Sequence, residues 1–163
     1  MYGTTAAVFS LLLIVTGVAK IRSPQDVNRA LAALGLPSFR SAGLLIGAAE
    51  VAVGIAALFA AVGLLAQGIL YLGFAIWVLV ALRRDVPLAS CGCLGKDDTP
   101  PTVGHLVMNL IAVAASLGAV AGGPIRLGEG IVGVAQLVVV GVGVFLSYVV
   151  LTDGARLVGV RER

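Results

Sequence analysis

The chain's only two cysteines, Cys91 and Cys93, stand one glycine apart in the stretch LASCGCLGKDD at 88–98. Thiols at this spacing close a disulfide only where the backbone bends enough to bring their Cα atoms within about 4.4–6.8 Å. Gly92, lacking a Cβ, permits that bend. The ring so formed is small and strained, and strain makes a bridge easy to reduce and prone to exchange. It would also constrain the unfolded chain very little, so a structural staple is a poor use for it. Arg83, Arg84 and Lys96 favour thiolate here, whereas Asp97 and Asp98 oppose it. Two other uses stay open. The thiols could be unpaired structural residues, or could bind a metal together with His105 and Asp97 or Asp98. The tight spacing and the single histidine argue against the metal, and none is expected.

A second group of candidates lies away from the thiols. Glu50 is the one carboxylate inside a long apolar run, nine residues after Ser41, which places it about 13 Å along a helix at ~1.5 Å per residue. Gly43, Gly47, Glu50 and Gly54 are spaced by four, three and four residues, a single helical stripe on which another helix can pack closely. An ionisable group on that seam faces the protein interior. Lys20 is its nearest candidate partner. Three roles stay open for Glu50: a protonated group hydrogen-bonded as structural glue, a Lys–Glu pair, or a carboxylate that handles protons or binds a ligand. His105 and Asn109, four residues apart, share a helix face turned back toward the thiols. Each would serve a thiol as hydrogen-bond partner, or simply tie helices together.

The elements that must position these groups are apolar. Of the 163 residues, 60% are hydrophobic and only 12% charged, against about 25% charged in a soluble domain. The mean hydropathy is +1.09. So few charges cannot cover so much apolar surface, and the solvent must be lipid. Five apolar runs fall at roughly 4–20, 41–61, 64–82, 105–122 and 130–151. Most reach the ~20 residues a crossing needs, the first and fourth being at the short end. The first lacks a basic leader and a small-x-small cleavage site, so it is read as a retained span. The expected fold is all-α: a polytopic membrane bundle of five transmembrane helices. No basic run or aromatic–basic interleaving points to nucleic acid.

The charges sort by loop. Lys20, Arg22, Arg29 and Arg40 follow the first run, Arg83, Arg84 and Lys96 follow the third, and Arg156, Arg161 and Arg163 follow the fifth. The opposite face receives only Arg126. The positive-inside rule then predicts an outside N-terminus, with the Cys-Gly-Cys loop and the C-terminus at the cytoplasmic side of the cell membrane. Trp77 and Tyr148 fall toward the same face. Between the first two runs, Ser23 can cap, Pro24 suits a first helical turn and Asp26 favours a helix N-terminus. Val27, Ala30, Leu31 and Leu34 share a face, and Gly35 followed by Pro37 ends the helix. A short amphipathic interfacial helix is expected at about 24–34, either packed over the bundle as a connector or serving in gating or docking.

TGVAKI closing the first run, GAAEVAVG in the second, and CGCLG after the third followed by MNL in the fourth together resemble the methylamine-utilisation MauE family. That family belongs with the wider DoxX-like membrane proteins. The resemblance implies one transmembrane domain over 1–163, and a role in redox or disulfide maturation of extracytoplasmic proteins alongside a thioredoxin-like partner. By position, Lys20, Glu50, Cys91, Gly92, Cys93, Gly95 and Asn109 match the pattern, while Met108 stands where an Arg is expected beside the Asn. Methylamine itself is not implied as a substrate. Three functions are therefore carried forward. The first is a thiol–disulfide oxidoreductase or relay on Cys91 and Cys93, supported by Glu50 and Lys20. The second is a non-catalytic accessory subunit of a larger membrane complex. The third is a lipid or quinone binder with Glu50 at the head-group site, a quinone being the one cofactor class any of these readings brings. Maturation of exported proteins would most simply place the thiols outside, whereas the charges place them inside.

Overall fold

A computed structural model of the chain describes residues 2–33, 35, 41–84, 102–122 and 130–157, the side chains of 84, 130, 131, 148 and 150–157 excepted. Every regular element among the described residues is an α-helix: α1 (Tyr2–Arg22), α2 (Pro24–Ala33), α3 (Ala42–Phe59), α4 (Ala61–Arg84), α5 (Val103–Gly122) and α6 (Gly130–Leu157). In lipid this is the expected outcome, because a helix satisfies its backbone polar groups internally. Of these, α1, α3, α4 and α5 are long and apolar enough to cross a membrane. The run expected at 130–151 lies in α6, a continuous helix of 28 residues whose described apolar stretch is Val132–Ser147. The fold is all-α and the protein is a multi-pass membrane protein.

At the centre lies α1, packed against α3, α5 and α6, while α4 bridges α3 and α5. Ala6, Phe9, Leu12 and Leu13 are almost wholly buried, so its successive turns bury side chains around the helix rather than along one stripe. The lipid-facing helices instead expose large apolar side chains, among them Ile69 and Ile76 of α4 and Leu137 and Phe145 of α6. This is the inverse of a soluble bundle, where such residues would be hidden.

The glycine stripe of α3 faces α1. Gly43, Gly47, Glu50 and Gly54 are all buried, and the three glycines lie against the backbone of Pro24, Gly17 and Ser10 respectively. The helices run antiparallel, so the C-terminal end of α1 meets the N-terminal end of α3. A single extended residue, Ala60 (φ −140°, ψ 142°), joins α3 to α4. Gly63 sits against the backbone of Ala56, where a Cβ would not fit, and so allows this turn.

The expected surface helix is α2. Val27 and Ala30 are buried and Leu31 is half-buried, while Leu34 and Pro37 lie outside the described residues. Asp26 pairs with Arg29 one turn on. Gly35 takes φ +70°, the left-handed conformation that ends a helix and suits glycine. The N–H of Ser23 donates to Ala19 O at 3.0 Å, so its backbone closes α1. Asn28 Oδ1 accepts a 3.0 Å hydrogen bond from the Gly43 N–H. In this way α2 caps α3, a service that Ser41 does not perform with its own side chain. Ala30 also packs on Ala81 with Trp77 and Val80 of α4. The helix is thus tied over the end of the bundle that carries Lys20 and Arg22. Trp77 is half-buried there, its Nε1 without a hydrogen-bond partner among the described residues, and the Tyr148 side chain lies outside them.

Candidate functional site

Lys20 closes α1, and Glu50 sits halfway along α3 on the seam where that helix crosses it. The ammonium nitrogen lies 2.7 Å from Glu50 Oε1 and donates to Oε2 at 2.9 Å. Both groups are buried, Glu50 completely. Although Oε1 touches the nitrogen as an ion-pair contact, it accepts no hydrogen bond of good direction. Thr16 Oγ1, one turn before Lys20, shares its proton between Leu13 O at 3.2 Å and Glu50 Oε2 at 3.1 Å. Across from the pair, the ring of Phe74 lies 5.4 Å from the Lys20 nitrogen, a cation–π contact. Of the arrangements open to Glu50 in the sequence, the structure shows the ion pair with Lys20.

Next to the pair is a cavity of about 40 Å³. Thr16 and Lys20 of α1, Tyr71 and Phe74 of α4, and His105 and Asn109 of α5 line its more polar side. Phe9, Leu12, Leu13 and Met108 line the apolar side. Met108 therefore gives α5 an apolar place in this wall. The aromatic rings are locked edge-to-face, Phe9 on Tyr71 at 5.5 Å and Tyr71 on Phe74 at 6.2 Å. The Tyr71 hydroxyl is held by Phe9 O at 2.8 Å.

His105 is fixed by the start of its own helix. Its backbone N–H donates to Thr102 O at 3.0 Å and, more weakly, to Thr102 Oγ1 at 3.4 Å. In return the Thr102 N–H donates to His105 Nδ1 at 3.3 Å, and Thr102 Oγ1 lies 2.8 Å from the same nitrogen. These contacts form a reciprocal capping box, with histidine in the place usually held by Glu or Gln. The T-x-x-H spacing at 102–105 carried that signal in the sequence. Nε2 is buried and has no hydrogen-bond partner among the described residues.

Sequence reasoning missed a second polar cluster nearer the other end of the bundle. Gln67 of α4, fully buried, donates through Nε2 to Ser116 Oγ of α5 at 3.0 Å and to Ala6 O of α1 at 3.3 Å. Ser10 Oγ contacts Gln67 Oε1 at 2.7 Å and Ala6 O at 2.9 Å, and Ser116 donates to Ala112 O at 2.7 Å. Every side-chain polar atom of the cluster is satisfied, so it reads as interhelical adhesion. The signal was a lone glutamine in an apolar run, GLLAQGIL at 63–70.

Of the candidate site residues, Lys20, Glu50, His105 and Asn109 are described. Lys20 pairs directly with Glu50, and Lys20, His105 and Asn109 share the cavity. Cys91, Gly92 and Cys93 lie outside the described residues, as do Gly95, Lys96, Asp97 and Asp98. The segment carrying them, 85–101, connects the end of α4 to the start of α5. Both attachments are at the Lys20 end of the bundle, since Ala81 of α4 packs on Ala30 of α2 and His105 of α5 lines the Lys20 cavity.

No curated protein and no solved structure matches the chain at a significant level. The family model described as methylamine utilisation protein MauE matches residues 1–122, from the start of α1 through the last residue of α5, and the chain belongs to that family.

Proposed function

We propose that this MauE-family protein supports thiol–disulfide redox chemistry in the membrane through Cys91 and Cys93. The observation that carries this reading is convergence. Lys20 and His105 come from two helices to the end of the bundle where the cysteine segment leaves α4 and rejoins α5, and Lys20 holds Glu50 of a third helix. An ionisable pair is expensive inside lipid and is rarely kept without a use. In this reading, one thiolate attacks a sulfur of a partner's disulfide. A mixed disulfide forms, and the partner's other sulfur leaves as thiolate. The second cysteine then attacks its neighbour, freeing the partner as a dithiol and leaving the Cys91–Cys93 bridge. Two electrons pass to the partner, and two protons from the thiols of this chain end on it. The reverse sequence oxidises a partner. A thioredoxin-like protein is the partner class that the family resemblance suggests.

The charge sorting supports a cytoplasmic position for the Lys20 end, with the C-terminus on the same side and α6 as a fifth span. Titration of the purified protein in lipid against thiol–disulfide buffers, followed by alkylation of free thiols, tests the reading. Two thiols should disappear together as the buffer becomes more oxidising. Thiols that stay reduced throughout would leave the protein as an accessory subunit of a larger complex.

A further inference from the structure

The capping box decides what His105 can do. A backbone N–H can only donate, so the Thr102 N–H at 3.3 Å requires a lone pair on His105 Nδ1. That donor favours the neutral tautomer with its ring proton on Nε2. This nitrogen is buried without a partner among the described residues, on a residue only 4% exposed that lines the cavity beside Lys20. With Nδ1 engaged by Thr102, Nε2 is the ring atom left for a partner in the cavity. His105 offers the cavity one thing, a directed N–H.

The size of the cavity selects what accepts that hydrogen bond. A buried water needs roughly 10–15 Å³ and two to four polar partners. The space of about 40 Å³ therefore holds on the order of three waters. Acceptors and donors for the waters are at hand in Thr16, Lys20 and Asn109, which line the same space. The titratable groups facing it are Lys20 from α1 and Tyr71 from α4, with Glu50 of α3 behind Lys20.

We infer that the cavity is a binding site for a neutral oxygen acceptor, supplied by a small cluster of water, and that His105 anchors the cluster through Nε2–H and so brings solvation to the Lys20 side of the buried ion pair. This rests on the site described above and deepens the redox reading in one respect: His105 acts there as a positioning donor. Lipid or quinone carbonyl oxygen shares the same acceptor chemistry, and the experiment separates the two sources.

The chain has one histidine, so histidine labelling reports on a single ring. Full-length protein, labelled with ¹⁵N- and ¹³C-histidine and purified through a histidine-free tag, would be studied in phospholipid bilayers by solid-state NMR. The expected result is a proton on Nε2, none on Nδ1, and a cross-peak from the Nε2 proton to water. A proton on Nδ1 would overturn the assignment. So would a cross-peak from Nε2 to a lipid or quinone carbonyl in place of water. As a second arm, the water cross-peak to the Lys20 ammonium should persist in His105→Gln, which keeps a side-chain N–H, and be lost in the donorless His105→Phe. Equal cross-peaks in the two variants would count against the anchoring role. Neither arm uses the cysteines, so inert thiols would remove the redox reading and leave this site standing.

Discussion

Gly17 and Gly47 meet so closely that a β-carbon on either one would lie 2.7 Å from the carbonyl oxygen of the other. The reciprocity means that neither backbone can yield without moving its whole helix. This contact sets the distance between α1 and α3, and therefore the reach of Lys20 to Glu50, which lies one turn beyond Gly47. Gly47→Leu should push the helices apart. The expected loss is at least the ~1–3 kcal/mol of ordinary overpacking. Gly73→Ala is the control, because its β-carbon would meet nothing within 4 Å; that change should stay within about 0.5 kcal/mol. Reversible unfolding in mixed micelles would measure both, and equal effects would refute the close-packing argument.

Removing one member of a buried ion pair leaves the other charge without compensation, at a cost of roughly 3–5 kcal/mol. Lys20→Met and Glu50→Leu should each destabilise the protein on that scale. The double substitution should recover most of the loss, because two apolar side chains of similar volume need no partner. A double-mutant cycle on unfolding free energy reads this directly. If the double variant is as unstable as the sum of the single ones, the pair is not the unit that matters.

How much of this was legible beforehand depends on the distance over which each signal acts. The stripe Gly43, Gly47, Glu50 and Gly54 is local to one helix, and periodicity alone named the face that turns to α1. Lys20 followed as partner because it stands at the end of the first span, which leads through the amphipathic segment into the second. Gly17 was not singled out, since a lone glycine has no period of its own and its meaning lies in the helix opposite. The Gln67 cluster was hidden for a similar reason: Ala6, Ser10, Gln67 and Ser116 come from three helices, and no spacing along the chain announces their meeting. Met108 shows no role by its spacing, and only the structure gives it a place, on the wall of the Lys20 cavity.

The Gln67 cluster should contribute to assembly and not to chemistry. Interhelical hydrogen bonds in membranes are worth about 0.6 kcal/mol on average, up to ~1.7. Gln67→Leu should therefore cost on the order of 1 kcal/mol in unfolding. Combined with Ser116→Ala, it should show a non-additive term, since the two side chains bond to each other at 3.0 Å. Thiol reactivity should not change in either variant. A complete loss of thiol chemistry with normal folding would assign this cluster to the functional site.

The last prediction concerns the thiols. A bridge between Cys91 and Cys93 closes a ring with one intervening residue, and the strain of that ring is relieved on reduction. Structural disulfides of secreted proteins have potentials below about −300 mV, so this bridge should titrate at a less negative value. Single substitutions separate the two sulfurs by role. In one of Cys91→Ser and Cys93→Ser, the remaining thiol is the one that attacks the partner, and it should hold that partner as a stable mixed disulfide. In the other, the remaining thiol is the resolving one, and no trapped species should accumulate. The double substitution should unfold at the same denaturant midpoint as the parent protein, because so small a ring adds little constraint to the unfolded chain. Alkylation-monitored titration in lipid gives the potential, and non-reducing electrophoresis of the single variants identifies the attacking sulfur. A potential below −300 mV, with neither single variant trapping a partner, would make the bridge a structural one and end the exchange mechanism.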